Sequence, residues 1–95
     1  PADPFIGNAL GYAQLRAGHS VQAVETLKRA VDLAPQPNTV VRNNLVLALT
    51  ATGRMEEANA IMSRVKDSNE RANLRAQIAA EAKRIAVIDY GVDAP

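Results

Sequence analysis

The segment 8–35, NALGYAQLRAGHSVQAVETLKRAVDLAP, recurs in altered form at 43–70 as NNLVLALTATGRMEEANAIMSRVKDSNE. Matching positions lie 35 residues apart (45 − 10 = 35), and the pairs are Leu10 and Leu45, Ala13 and Ala48, Gly18 and Gly53, Ala23 and Ala58, and Leu27 and Met62. An internal repeat of this length is typical of helical solenoids. Because solenoids act through an extended surface, the repeat favours a binding function over catalysis.

The composition fits one small helical domain. The chain has 95 residues, of which 47% are hydrophobic and only 3% aromatic, so small aliphatic side chains supply most of the apolar mass. Its 11 basic and 10 acidic residues give a net charge of +1 and form no basic stripe, so nucleic acid and anionic membrane are not expected partners. The lack of cysteine excludes disulfides, thiolate metal sites and cysteine nucleophiles. No apolar run reaches the roughly 20 residues of a membrane span.

Residues that start and stop helices predict a first antiparallel hairpin. Asp3, followed by a proline, favours the start of a first helix. Gly18 offers the left-handed turn that commonly ends a helix, and Ser20 is placed to cap the next helix. Pro35 and Pro37 are expected to end that second helix.

The same signals recur in a second hairpin. Thr39 is a candidate cap for the third helix, and Gly53 is the expected turn. Glu56 and Glu57 fall where the positive end of the fourth helix favours acidic residues.

A fifth helix is predicted after the second hairpin. Asp67 and Glu70 have the spacing of a capping box. Apolar and partly polar residues then recur at helical intervals, at Leu74, Ile78, Glu81 and Ile85. We expect this helix to cover one side of the last hairpin and to end near Gly91.

The first repeat resembles the tetratricopeptide repeat. It supplies the family's pattern at the family's spacing, with Leu10, Gly11, Gly18, Ala23, Leu27, Ala30 and Pro35. It departs from the pattern at Gly7, where the family has a large aromatic residue, and at Gln14, where the family favours Tyr. The second repeat is the weaker copy, because Val46, Val65 and Glu70 replace the paired glycine, the small residue and the closing proline.

The resemblance implies an all-α fold, a tetratricopeptide-like α-α superhelix of two antiparallel hairpins and a C-terminal capping helix. The expected domain is 1–90, and its parts are repeat 1 at about 4–37, repeat 2 at about 39–67 and the capping helix at about 68–90, with a tail at 91–95. Small residues such as Gly11 and Ala23 would let helix axes approach closely. Leu10, Leu27, Leu45 and Met62 are expected to fill the remaining space.

In tetratricopeptide proteins the first helices of successive hairpins line a concave groove. Asn8 and Asn43 lie one repeat apart on those helices (43 − 8 = 35), and an Asn side chain can both donate to and accept from an extended peptide backbone. The further groove candidates are Tyr12, Leu15, Arg16, Asn44, Leu47, Thr50 and Arg75. The alternative is that these are simply solvated helix residues.

One subset of the family grips a C-terminal carboxylate, and Asn44 and Arg75 occupy matching places. That type of clamp is disfavoured, because Asn8, Tyr12 and Ala79 stand where the subset has a lysine, an asparagine and a further cation.

No catalytic, cofactor or metal site is predicted. His19 is the only histidine and is expected to be a turn residue, since no cysteine or carboxylate cluster supplies metal-ligand spacing around it. The serines lack a base placed to activate them.

The apolar end of the fifth helix is a possible docking surface. Ile85, Ile88 and Tyr90 leave this helix apolar on more sides than a half-exposed helix needs. We expect these side chains to fold back on the chain, or to dock on a second copy or a partner; the alternative is a locally buried helix end.

A second resemblance concerns the C-terminal half. Segment 41–65 with NLRAQIAAE at 73–81 is similar to the end of the TadD-type repeat proteins of the tight-adherence, or Flp pilus, machinery. This implies a periplasmic or outer-membrane-associated pilus assembly factor whose partner is a secretin or another pilus component. Because the chain begins at Pro1, an export or lipid signal would lie upstream. The alternative is a terminal capping or dimerisation segment of a longer cytoplasmic scaffold.

Overall fold

The computed structural model describes residues 3–34 and 38–90, and every regular element in these ranges is an α-helix. The helices are α1 (Pro4–Arg16), α2 (Ser20–Leu33), α3 (Thr39–Ala51), α4 (Met55–Met62) and α5 (Ser68–Tyr90). The prediction of an all-α fold is confirmed. The expected stops at Pro35 and Pro37 and the tail 91–95 lie outside the described residues.

Two glycines form the tight turns inside the hairpins. Gly18 has φ of 84° and Gly53 has φ of 77°, the left-handed region in which glycine carries no steric penalty. After each glycine the next amide donates back across the last helical turn, from His19 to the carbonyl of Gln14 and from Arg54 to that of Leu49, both at 2.8 Å. These are paired Schellman turns, and they make the partner helices antiparallel.

The helix caps agree with the sequence at α1 and α5. Asp3 Oδ1 accepts from the Phe5 amide at 2.9 Å, and Asp67 Oδ1 accepts from the Asn69 amide at 2.9 Å. Each carboxylate therefore satisfies an amide that the first helical turn leaves without a partner.

The predicted caps of α2 and α3 were wrong. Ser20 is the first residue of α2, and its buried Oγ has no hydrogen-bond partner among the described residues, while His19 occupies the cap position without a side-chain bond. At α3 the cap is Asn38 and not Thr39: Asn38 Oδ1 accepts from the amides of Val40 and Val41 at 3.0 and 3.1 Å. The side-chain oxygen of the residue just outside the helix reaches these amides, and Thr39 is already inside it.

Small residues let α1 and α2 approach closely. A Cβ added at Gly11 would lie 2.5 Å from Leu27 Cγ, and one added at Gly7 would lie 3.2 Å from Ala30 Cβ. The short distance at Gly7 explains why this position cannot hold the large aromatic residue that the first-repeat pattern would otherwise carry.

The hydrophobic core runs through all five helices. Its fully buried side chains include Leu15, Leu27, Leu49 and Ile85. Leu27, Leu45 and Met62 fill interior space as expected, but Leu10 is 53% exposed, so its predicted place in the core was wrong. The reason is that the described residues supply no helix to cover that side of α1.

α5 departs from the 35-residue register. The buried stripe of α3 contains Val41, Leu45 and Ala48, whereas that of α5 contains Ile78, Ala82 and Ile85. The offset is 37 in each case (78 − 41, 82 − 45 and 85 − 48), so α5 presents the same pattern two residues later. α5 packs mainly against α3 and reaches α1, and it makes little contact with α4.

Candidate functional site

α1, α3 and α5 together form an open groove. Tyr12 of α1 and Leu47 of α3, one repeat apart (47 − 12 = 35), form one side of it. The other side is α5, through Leu74, Gln77, Ile78, Ala80, Glu81 and Arg84, and the groove encloses about 430 Å³. A groove of this size fits a few side chains of a bound segment. α5 therefore lies on the face of α1 and α3 that the sequence predicts to be concave.

Asn8 and Asn43, which are predicted to bind a peptide backbone, both bond to residues of this chain. Asn44 Nδ2 donates to Asn8 Oδ1 at 2.9 Å, which joins α3 directly to α1. Asn43 is not paired with Asn8; its Oδ1 accepts from Nε and Nη2 of the neighbouring Arg42, each at 3.1 Å. Asn8 and Asn44 are thus tied to each other, and a ligand would have to compete with that bond for the Asn8 oxygen.

Two leucines predicted to flank the groove are in the core. Leu15 has no exposed surface, and Leu47 is nearly buried beside α5. Leu15 therefore offers no surface to a ligand in this conformation, and Leu47 contributes only a small apolar area to the groove floor. Tyr12 and Arg16 are exposed on α1 and remain accessible.

Thr50 and Arg75 belong to a second, smaller cavity. This cavity holds about 60 Å³ and lies where α3, α4 and α5 meet, lined by both residues together with Val46, Met55, Ala58, Asn59, Met62, Ile78 and Ala79. The Thr50 hydroxyl donates to the Val46 carbonyl at 2.8 Å. Arg75 Nη1 donates to Asn59 Oδ1 at 2.9 Å, which joins α5 to α4. Both polar groups thus bond within the chain and line a cavity that Tyr12 does not reach, although Arg75 itself is exposed.

The α5 wall of the groove was missed as a binding surface in the sequence. Gln77, Glu81 and Arg84 lie on the groove side of α5, and Glu81 and Arg84 form an ion pair there. The signal was present, since Leu74 and Ile78 are four residues apart on one stripe. The sequence predicts for that stripe only a role in covering the last hairpin, because the repeat register gives no indication that α5 crosses toward α1.

The residues of the predicted docking surface at the end of α5 do not share one environment. Ile85 is 1% exposed and packs within this chain, so it is not available for docking. Folding back and a locally buried helix end both describe this position. Ile88 and its neighbour Val87 are exposed. The side chain of Tyr90 lies outside the described residues. Docking through Ile88 therefore stays a prediction.

Ion pairs near the turn of the second hairpin connect α4 to α2. Glu57 Oε2 lies 2.9 Å from Arg54 Nη2 and 3.8 Å from Lys28 Nζ, which links α4 to α2. The hydrogen bond from Arg54, with the charges of Arg54 and Lys28, lowers the pKa of Glu57 below its ordinary value.

Within residues 3–34 and 38–90, no three acidic, histidine or cysteine side chains come together as a metal site would require. No helix in the same ranges is long and apolar enough to cross a bilayer.

Comparison with protein families gives a match over most of the chain. The family model of the tetratricopeptide repeat matches residues 14–83, from the end of α1 into α5. A search of curated proteins and a search of solved structures each found no significant match. The family model covers well over half of the chain, and the paired helices, Schellman turns and 35-residue spacing agree with it. This chain belongs to the tetratricopeptide repeat family.

Proposed function

We propose that this protein is a non-enzymatic interaction module that binds a peptide or protein segment in the groove between α1, α3 and α5. Tetratricopeptide repeats are protein-interaction repeats, and this supports the general class. The observation that carries the site is the convergence of Tyr12 and Leu47 with α5 around one open groove.

The groove combines an apolar floor with a polar rim. Leu47, Leu74 and Ile78 supply the floor, while Tyr12 and the Glu81–Arg84 pair supply the polar groups. A bound segment would place an apolar side chain on the floor and polar groups at the rim, because binding sites commonly have an apolar centre and a polar edge. Because the helices are preformed, binding would not require the scaffold to become ordered.

Peptide selection on the purified chain tests this site. Peptides enriched from a random displayed library are titrated by calorimetry against the wild type, Tyr12→Ala and Val21→Ala. Tyr12 borders the groove, whereas Val21 is an exposed residue of α2 that does not line it. We expect at least about tenfold weaker binding for Tyr12→Ala, in the range of an aromatic contact residue, and no change for Val21→Ala. Equal affinity for all three proteins would place the binding surface elsewhere.

We further propose that the bound partner is a component of the tight-adherence pilus machinery, such as its secretin, on the periplasmic side. What supports this is the similarity of 41–65 and 73–81 to the TadD-type proteins. The test is co-purification of the secretin from a bacterium that assembles such a pilus, using wild type and Tyr12→Ala as bait. Secretin recovery that depends on Tyr12 supports the proposal, and absence of the secretin from both samples contradicts it.

A further inference from the structure

Two adjoining hollows lie along α5, apart from the groove. The first is the cavity of about 60 Å³ between α3, α4 and α5. The second is an open depression of about 550 Å³ along the first half of α5. Arg75 and Ala79 line both hollows, and we call the two together the basic cleft. Among the described residues that line the groove, Ile78 alone also lines the basic cleft, so the two surfaces are nearly separate.

Two arginines of the basic cleft are held by neutral acceptors. Arg71 Nη1 donates to the Val65 carbonyl, and Arg75 Nη1 donates to Asn59 Oδ1. Within residues 3–34 and 38–90, neither guanidinium forms an ion pair. These bonds leave Nε and Nη2 of each guanidinium for a further acceptor, and that edge can bind a carboxylate through two hydrogen bonds. Both arginines are therefore oriented for an anion that the described part of the chain does not supply.

The sequence around the basic cleft carries an excess of positive charge. Residues 64–75 contain four basic and two acidic residues, a net charge of +2 (4 − 2), whereas the whole chain carries +1. The rest of the chain therefore sums to −1 (1 − 2). One of the two acidic residues, Asp67, uses its Oδ1 to cap α5. The local charge favours an acidic partner and disfavours a basic one.

The cavity beside Arg75 selects a small aliphatic group. Its walls include Val46, Met62 and Ile78, and the Thr50 hydroxyl in its lining already donates to a carbonyl of α3. A benzene ring occupies a cavity of roughly 150 Å³. A cavity of about 60 Å³ therefore suits a smaller side chain, such as that of valine.

We propose that the basic cleft binds an acidic segment of a partner protein, with two carboxylates on Arg71 and Arg75 and a small aliphatic side chain in the cavity. The two arginines are four residues apart, so their positions are about 6 Å apart along α5. Glutamates four residues apart on a helix, or two apart on an extended segment, match this distance. Ala72 and Ala76 line the depression beside the arginines and leave room for the segment to approach α5.

This site is distinct from the other binding sites discussed for this fold. It is independent of the groove proposed above, and either proposal can fail without the other. It also differs from the clamp for a C-terminal carboxylate, because Asn8 and Asn44 bond each other and line neither hollow. The basic cleft requires two carboxylates, whereas a chain end supplies one main-chain carboxylate.

Peptide selection tests the basic cleft. A random displayed library is depleted on the Arg71→Gln/Arg75→Gln chain and selected on the wild type, and the enriched peptides are titrated by fluorescence anisotropy. We expect these peptides to share two acidic residues and a small aliphatic residue. Arg75→Gln should weaken binding at least about tenfold, because charge-assisted hydrogen bonds are lost. Ala79→Leu, which fills the cavity from an exposed position, should weaken binding at least about fivefold.

A change in the peptide tests the same contacts without altering the protein. Replacing the two acidic residues of an enriched peptide with glutamine should weaken its binding to the wild type at least about tenfold, and added salt should weaken binding of the acidic peptide. A selection that yields no peptide, or peptides without acidic residues, would overturn the proposal. Binding that is unchanged by the glutamine replacement would also overturn it.

Two further variants separate this site from general charge attraction and from the groove. Lys83 is an exposed cation of α5 that lines neither hollow, so Lys83→Gln should leave the affinity unchanged. Tyr12 lines the groove and not the basic cleft, so Tyr12→Ala should also leave it unchanged. An equal loss for Lys83→Gln and Arg75→Gln would show that net charge alone attracts the peptides, and an equal loss for Tyr12→Ala would place them in the groove. Either result overturns the proposal.

Discussion

At the scale of single residues, Gly11 is the position where the contact between α1 and α2 tolerates least change. An added Cβ would lie 2.5 Å from Leu27 Cγ, well inside van der Waals contact. We predict that Gly11→Ala lowers the free energy of unfolding by up to about 2 kcal/mol, because overpacking costs about 1 to 3 kcal/mol and the better helix propensity of alanine returns about 1. Urea denaturation followed by circular dichroism measures the difference.

Gly7→Ala is the matched control for this prediction. Its added Cβ would lie 3.2 Å from Ala30 Cβ, a smaller overlap on the same face of α1. We expect it to be better tolerated than Gly11→Ala, and the reverse order would show that Leu27 adjusts more easily than the backbone near Ala30.

The bond between Asn8 and Asn44 gives a second prediction at this scale. The two side chains join α1 to α3 at 2.9 Å and are partly buried. We predict a coupling energy of about 0.5 to 1.5 kcal/mol in a double-mutant cycle with Asn8→Ala and Asn44→Ala, the usual net value of such a bond. A cycle of Asn8→Ala with Asn43→Ala serves as the control and should show no coupling. Equal coupling in both cycles would contradict the observed pairing.

At the scale of elements, the start of α3 depends on Asn38. Its Oδ1 accepts from two amides of the first helical turn. We predict that Asn38→Ala costs about 1 kcal/mol of stability, whereas Thr39→Ala, one residue inside the helix, costs much less. Thermal unfolding of the two variants measures this. A larger loss of stability for Thr39→Ala than for Asn38→Ala would show that Thr39, as the sequence predicts, is the cap of α3.

The contact between α2 and α4 has a predicted dependence on pH. Arg54 and Lys28 lower the pKa of Glu57 below its ordinary value, so the folded state binds fewer protons at this group than the unfolded state does. The stabilisation is present above the unfolded pKa near 4.5 and is lost as the pH falls through the lower folded pKa. At low salt, Glu57→Gln should therefore unfold more easily than wild type at pH 7 and equally easily once Glu57 is protonated.

Glu56→Gln is the control for the pH dependence. It occupies the same first turn of α4, and the described residues supply it with no ion-pair partner. The same pH-dependent difference in both variants would assign the effect to the helix end and not to the ion pairs of Glu57.

At the scale of the whole molecule, the sequence predicts the two hairpins well and the position of α5 poorly. The hairpins follow from local chemistry, because Gly18 and Gly53 permit a left-handed turn that other residues disfavour. The groove candidates were only partly right, since Leu15 lies in the core and Asn8 bonds Asn44 in place of a ligand. Which face of α1 and α3 is covered depends on where α5 crosses them.

The crossing of α5 depends on packing over long sequence distances. The 35-residue register would place Ala76, Ala80 and Lys83 of α5 inward (41 + 35, 45 + 35 and 48 + 35), and all three are exposed. Ile78, Ala82 and Ile85, two positions later, are buried in their place. The burial of Ile78 and Ile85, and not the repeat register, decides which face of α5 turns inward. Each large aliphatic side chain gains more free energy from burial than an alanine does.

The packing of Ile85 leads to the last prediction. Ile85 is 1% exposed and belongs to the same core cluster as Leu15 and Leu47, whereas Ile88, three residues later on the same helix, is 51% exposed. We predict that Ile85→Ala lowers the free energy of unfolding by about 2 to 5 kcal/mol and that Ile88→Ala changes it little. Because α5 covers Leu47 and borders Tyr12, the first substitution should destabilise the α1–α3 groove together with α5. Amide hydrogen exchange, read separately for α3 and α5, measures this: faster exchange in both helices is expected for Ile85→Ala, and faster exchange confined to α5 would show that α5 is an independent appendage and not part of the groove.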